Sequence, residues 1–181
     1  MHELPDTVKE HKEKQVEKVN FSVIVVSTSR FNEMKANAPS TDRTVAVVEE
    51  HVLKKGHSLV KKSFVPDDFD KLKNEVTSDI SAPEIDVVIT SGGTGISPKD
   101  CTINVLKALD SSLLPGFGEL FRQLSYEEIG AASILSKSEA FLMENKCVFC
   151  LPGSPKAVKL ALEKIILPEV GHVLSQLRKI E

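Results

Sequence analysis

The chain has 181 residues, of which 41% are hydrophobic and 27% charged, as expected for one soluble globular domain. Lys and Arg total 23 against 26 Asp and Glu, a formal net charge of −3, so no basic excess points to nucleic acid as a partner. No apolar run approaches the ~18 residues of a membrane span, and the charged start MHELPDTVKEHKEK lacks the apolar core of a secretory signal.

Residues 1–20 carry Glu3, Asp6, Lys9, Glu10, Lys12, Glu13, Lys14, Glu17 and Lys18 with few apolar residues, and read as a solvated arm ahead of a domain over 21–181. Phe21–Thr28 (FSVIVVST) is a nearly unbroken β-branched run, the pattern of a strand buried on both faces. Ser29–Ser40 is a polar loop by composition. Asp42 precedes a helical stretch with Val45, Val48 and Val52 on one face and Gly56 as its stop. Leu59–Val65 is a weaker strand. Phe69–Ile80 has helical spacing and ends before Pro83. Ile85–Thr90 (IDVVIT) is a second strongly apolar strand, Ser91–Lys99 a glycine-rich loop, and Thr102–Leu109 a short helix. Pro115–Gly118 reads as a turn, with helix from Glu119. Ala140–Met143 and Cys147–Leu151 read as a hairpin around Glu144-Asn145. A long amphipathic helix starts at Pro155, with a kink expected at Pro168. Strands alternating with helices imply an α/β three-layer sandwich: a mostly parallel sheet, helices on both faces and a small β-hairpin.

The three cysteines, Cys101, Cys147 and Cys150, are too few for a disulfide framework, and a reducing cytoplasm is expected. Cys147 and Cys150 form a C-x-x-C, but on a strand they point to opposite faces and read as two packed thiols. The five histidines are scattered, with no Ser/His/Asp set or metal cluster.

Six of the nine glycines fall in three motifs: Gly92, Gly93 and Gly95 in TSGGTGISPKD, Gly116 and Gly118 in PGFGELFR, and Gly153 in LPGSP. The first follows the strongest strand, where open α/β sheets bind ligands. Its glycines can turn the chain or present bare N–H groups to an anion, with Thr90, Ser91, Thr94 and Ser97 adding hydroxyls. It is neither a Walker A loop nor a dinucleotide fingerprint. Asp100 and Asp42 each cap a helix or stand beside a phosphate and a divalent cation. Gly153 and Ser154 serve a turn or a ligand. Glu119 is a first-turn helix glutamate by default. Arg30 follows the first strand and is either an exposed loop arginine or a contact to an anionic ligand.

With these motifs the sequence resembles the MoaB/MogA family of molybdenum-cofactor biosynthesis proteins, related to gephyrin-type G domains. The matching pieces are VSTSR (26–30), TSGGTGISPKDCT (90–102), PGFGELFRQLS (115–125), AASILSKSEA (131–140) and LPGSPKAV (151–158), collinear over about residues 20–175. The resemblance implies a cytoplasmic, homo-oligomeric molybdopterin-binding protein, trimeric or hexameric, whose catalytic members use Mg2+ and ATP to adenylylate molybdopterin and release pyrophosphate. It implies that Ser91, Gly92, Gly93, Thr94, Gly95 and Ser97 belong to the phosphate and nucleotide loop. Asp100 and Asp42 would be catalytic and metal-holding, Gly153 and Ser154 would lie on the pterin side, and Gly116 and Glu119 would flank the nucleotide. The family's D-x-S-G segment reads Asp42-Arg43-Thr44-Val45 here, with valine in place of glycine.

Overall fold

The computed structural model describes residues 16–179. In chain order the elements are β1 (Asn20–Val26), α1 (Thr28–Lys35), α2 (Thr44–Lys54), β2 (Ser58–Val65), α3 (Phe69–Ser81), β3 (Val87–Ser91), α4 (Thr102–Lys107), β4 (Ser112–Leu113), α5 (Pro115–Ile129), a 3-10 turn (Gly130–Leu135), β5 (Glu139–Met143), β6 (Lys146–Leu151), α6 (Pro155–Ala161), a π turn (Leu162–Ile166) and α7 (Leu167–Leu177). Most of the expected charged arm, residues 1–15, lies outside the described residues.

The six strands form one sheet in the order β2-β1-β3-β6-β5-β4. β1 pairs parallel with β2 and β3, and β3 pairs parallel with β6. β5 runs antiparallel to both β6 and β4. The β5–β6 hairpin turns through Glu144 and Asn145, both at positive φ (44° and 65°), as a tight two-residue connection requires.

Alternation along the strands builds two cores. Phe21, Val23, Val87, Ile89, Cys147, Phe149 and Leu151 face α2, α5, α6 and α7. Ile24, Val26, Val88, Val148 and Cys150 face α3 and α4. Helices therefore cover both faces, and the chain is a three-layer α/β sandwich with a mostly parallel sheet. Cys147 and Cys150 sit in opposite cores, as expected from their strand spacing, and burial pushes both thiols up to about 12. No helix among the described residues is long and apolar enough to cross a membrane.

Three local expectations need correction. The segment after β1 is not all loop: Ser27, in extended backbone, caps α1 by accepting from the Arg30 N–H at 3.5 Å, and an Arg30–Glu33 pair (2.9 Å) supports the helix. α1 buries no residue, so hydrophobic periodicity could not reveal it. Pro115–Gly118 is the first turn of α5, with Pro115 where a missing N–H costs nothing. The C-terminal helix is not continuous α-helix: a π turn (Leu162–Ile166) interrupts it directly before Pro168, which stands in the first turn of α7.

The base of the sheet carries a pH-sensitive joint. Val19 N–H donates to His57 Nδ1 at 3.4 Å, and the ring leans on Phe21. Burial, with the Lys55 charge second, lowers the His57 pKa from its ordinary 6.5. Neutral His57 is favoured in the fold, so its contribution is complete above about pH 6.5 and is lost as pH falls below that value. We expect the urea midpoint to drop between pH 7.5 and 5.5 more steeply in the wild type than in His57→Asn. A thiol-specific reagent should modify one cysteine per native chain, the half-exposed Cys101, and all three after unfolding; Cys101→Ser should abolish the native reaction.

Candidate functional site

β3 ends at Ser91, whose hydroxyl donates to the Pro152 carbonyl at 3.1 Å and ties the two glycine-bearing loops together. The chain then turns through Gly92 (φ 109°) and Gly93 (φ 64°). A Cβ on Gly92 would overlap the Val26 carbonyl oxygen, so only glycine lets the loop pass this close to β1.

The loop's carbonyls are anchored one after another. Gly92 C=O accepts from the Thr102 hydroxyl (2.8 Å), Gly93 C=O from the Thr102 N–H (3.1 Å), and Thr94 C=O from the Lys137 N–H (2.9 Å). In a trans peptide the carbonyl and the following N–H point in opposite directions, and no peptide among the described residues is cis. Fixing three successive carbonyls therefore aims the N–H groups of Gly93, Thr94 and Gly95 away from the anchors. Among the described residues none of these N–H groups has a hydrogen-bond acceptor. The same residues line a cavity of about 510 Å3. Its other walls are the Pro152-Gly153-Ser154 turn, the α5 face bearing Phe121, Ser125 and Ile129, and the segment reaching Ser136. Asp100 borders it, one carboxylate oxygen accepting from the Ser97 N–H at 2.8 Å.

A second hollow of about 460 Å3 lies beyond the ends of β1 and β3. The chain leaves β1 toward α2 on one face and leaves β3 toward α4 on the other, the crevice geometry of ligand sites in open sheets. Asp42, Arg30, Arg43, Thr44 and Ser91 line it. Asp42 caps α2 by accepting from the Val45 N–H at 2.9 Å. The loop before it is held by Glu33, whose carboxylate accepts from the Thr41 N–H (3.0 Å) and hydroxyl (2.8 Å), while Arg30 also donates to Thr41. These bonds hold the Glu33 carboxyl below its ordinary range. Val45 lies in the first turn of α2, half-buried against the core and at no special backbone angle, so the fold asks for no glycine there.

Gly153 lines both spaces. Of the residues singled out in the sequence, Gly92, Gly93, Thr94, Gly95, Asp100, Gly153 and Ser154 line the larger cavity, and Ser91 and Asp42 the second. Ser97 lies between loop and Asp100 and lines neither. Gly116 and exposed Glu119 stand at the start of α5 and also line neither within this chain. Sequence reasoning missed Thr102, Glu33, Arg43 and Lys156, the last a cation on the cavity wall. Thr102 and Glu33 act on residues outside their own helical turns, and no local pattern marks them.

Residues 22–172 match the family described as "Probable molybdopterin binding domain". The chain belongs to this family. It is 39% identical over 174 residues to "Molybdenum cofactor biosynthesis protein B" of Bacillus subtilis (strain 168), covering 96% of this chain and 98% of that one. It is 32% identical over 166 residues to the "Probable molybdopterin adenylyltransferase" of Methanocaldococcus jannaschii, covering 92% and 98%. A crystal structure of a molybdenum cofactor biosynthesis protein B superposes with a TM-score of 0.81 at 37% identity, over 90% of this chain and 98% of that chain. The matched span contains every residue that lines either space.

The buried Thr102 hydroxyl is the test of the cradle. Thr102→Val keeps the shape but strands the Gly92 carbonyl, which should cost about 1–3 kcal/mol of stability. It should also weaken molybdopterin binding by about 10-fold through the misaimed Gly93 N–H, as read by denaturant unfolding and by ligand titration.

Proposed function

We propose that this chain works in molybdenum-cofactor biosynthesis as a molybdopterin adenylyltransferase, with molybdopterin and ATP as its two substrates. The observation that carries the reading is the row of aimed, unpartnered amides at Gly93, Thr94 and Gly95 on a cavity wall, one glycine away from a second hollow holding two arginines and Asp42. The name of the Methanocaldococcus jannaschii relative and the chain's family membership support it.

The reaction joins two anions. A phosphate oxygen of molybdopterin forms a bond to the α-phosphorus of ATP, the bond from that phosphorus to the β-phosphate bridge breaks, and pyrophosphate leaves with the electron pair. No protein nucleophile takes part. What the chain must do is hold two negative groups together in register, and fixed dipoles that need no reorganisation do this best. The loop amides, Ser154 and Lys156 offer donors in one space, and Arg30, Arg43 and Thr44 offer them in the other.

The carboxylates fit Mg2+. Asp42 and Asp100 each engage one oxygen with a neighbouring amide, and the other oxygen has no hydrogen bond among the described residues. These residues contain no group of three or more His, Cys, Asp or Glu able to hold a metal alone. With Asp100 bordering the larger cavity and Asp42 the second hollow, each carboxylate suits an ion that keeps several waters and takes most remaining ligands from substrate phosphates. In this reading Asp42 and Asp100 would hold Mg2+, which when bound would neutralise phosphate charge. Tyr126, Ile129, Ile134 and Leu135 are all at least half exposed, and Ile129 and Leu135 line the larger cavity; these apolar side chains support association between copies of the chain, which the family resemblance makes trimeric or hexameric.

The experiment is incubation with molybdopterin and ATP labelled at the α-phosphate. The label should appear on the pterin, in a Mg2+-dependent manner, and Asp100→Asn should lower turnover by at least ~100-fold, as loss of a key electrostatic group does. Pterin binding without labelled product would make the chain a binding protein instead.

A further inference from the structure

Two of the three anchors of the cradle come from Thr102, inside α4. The third, the Lys137 N–H on Thr94 C=O, comes from the stretch between the 3-10 turn and β5, which has no regular structure of its own. That stretch is gripped from α5. Arg122 Nη1 donates to the Ser138 carbonyl and to Glu139 Oε1, both at 3.1 Å. Ser138 is fully buried, and its hydroxyl pairs with that of Ser136 at 2.9 Å. The second Glu139 oxygen is buried without a hydrogen-bond partner among the described residues.

Gly118 explains how the pair fits. It lies one turn before Arg122 on the same helix face. A Cβ there would overlap the Glu139 carboxylate and come within 2.8 Å of the Arg122 guanidinium. The second glycine of PGFG thus makes room for a charged pair against the helix backbone. Apolar residues of similar size would join α5 to β5 with less desolvation cost. What the guanidinium adds is fixed geometry, because the two N–H groups of its planar Nη1 set two acceptors at once.

We propose that Arg122, paired with Glu139 in the space left by Gly118, is a positioning residue for anion binding: it fixes Ser138 and hence the Lys137 N–H, which holds Thr94 C=O and so aims the Gly95 N–H at the ligand's phosphate. The proposal rests on reading the glycine loop as the cradle of a phosphorylated pterin.

The full chain is compared with its Arg122→Ala and Glu139→Gln variants by hydrogen–deuterium exchange and by titration with molybdopterin and with dephosphorylated molybdopterin. In Arg122→Ala the Lys137 amide should exchange at least ~10-fold faster, while the Thr102 amide is unchanged. The Kd for molybdopterin should rise by about 10-fold, the loss of one hydrogen bond to a charged group, and that for the dephosphorylated pterin should stay the same. Glu139→Gln, which keeps the packing, should show the same selectivity to a smaller degree, and it decides the matter if Arg122→Ala does not fold. Equal weakening of both ligands would make the cluster merely structural and overturn the proposal. So would unchanged affinity in a wild-type background that binds. A wild-type chain that binds neither pterin would instead overturn the reading of the cradle on which the proposal rests.

Discussion

A peptide group cannot turn its N–H without turning its carbonyl. That constraint organises the end of β3. Three carbonyls in succession, from Gly92 to Thr94, are taken up by Thr102 and Lys137, and the three N–H groups opposite them have no acceptor among the described residues, in a loop that lines the cavity. The arrangement needs no side chain at the contact surface, which is why glycine predominates there. It needs instead a rigid rear support, and α4 together with the segment before β5 supplies it.

The sheet makes that support possible. β3 is central, flanked by β1 and β6, and its five residues are all buried. Its tip is therefore among the least mobile points of the molecule. The loops that follow β1, β3 and β6 converge on the same edge because those strands are parallel. Asp42, the glycine cradle and the LPGS turn thus come together from three distant parts of the chain. Hydroxyl groups serve as ties: Ser91 joins two loops, and Thr102 closes the rear.

Much of this is legible in the residues. The β-branched runs at 21–28 and 85–90 mark the central strands, because burial on both faces leaves no polar alternation to confuse the pattern. The glycine cluster after β3 marks the edge of the sheet where both hollows lie. The helix α1 is not legible, since it buries nothing and rests on a serine cap and a surface ion pair. The cavity wall on α5 is hidden for the opposite reason. Phe121, Ser125 and Ile129 follow helical spacing, and sequence cannot distinguish a face turned to a cavity from one turned to the core. Nor can the Thr102 or Glu33 contacts be read, because each closes a loop whose path is set by tertiary packing rather than by the residues within it.

The rear supports of the glycine loop come from either side of α5 in the chain, Thr102 before it and Lys137 after it. The second comes within reach only when β6 has inserted beside β3 and drawn β5 after it. A partly folded chain that has assembled β1, β2 and β3 holds the glycines without the geometry. The geometry of the loop is thus conditional on the completed sheet, and any ligand that binds only this arrangement would stabilise the β3–β6 and β5–β6 pairings along with it.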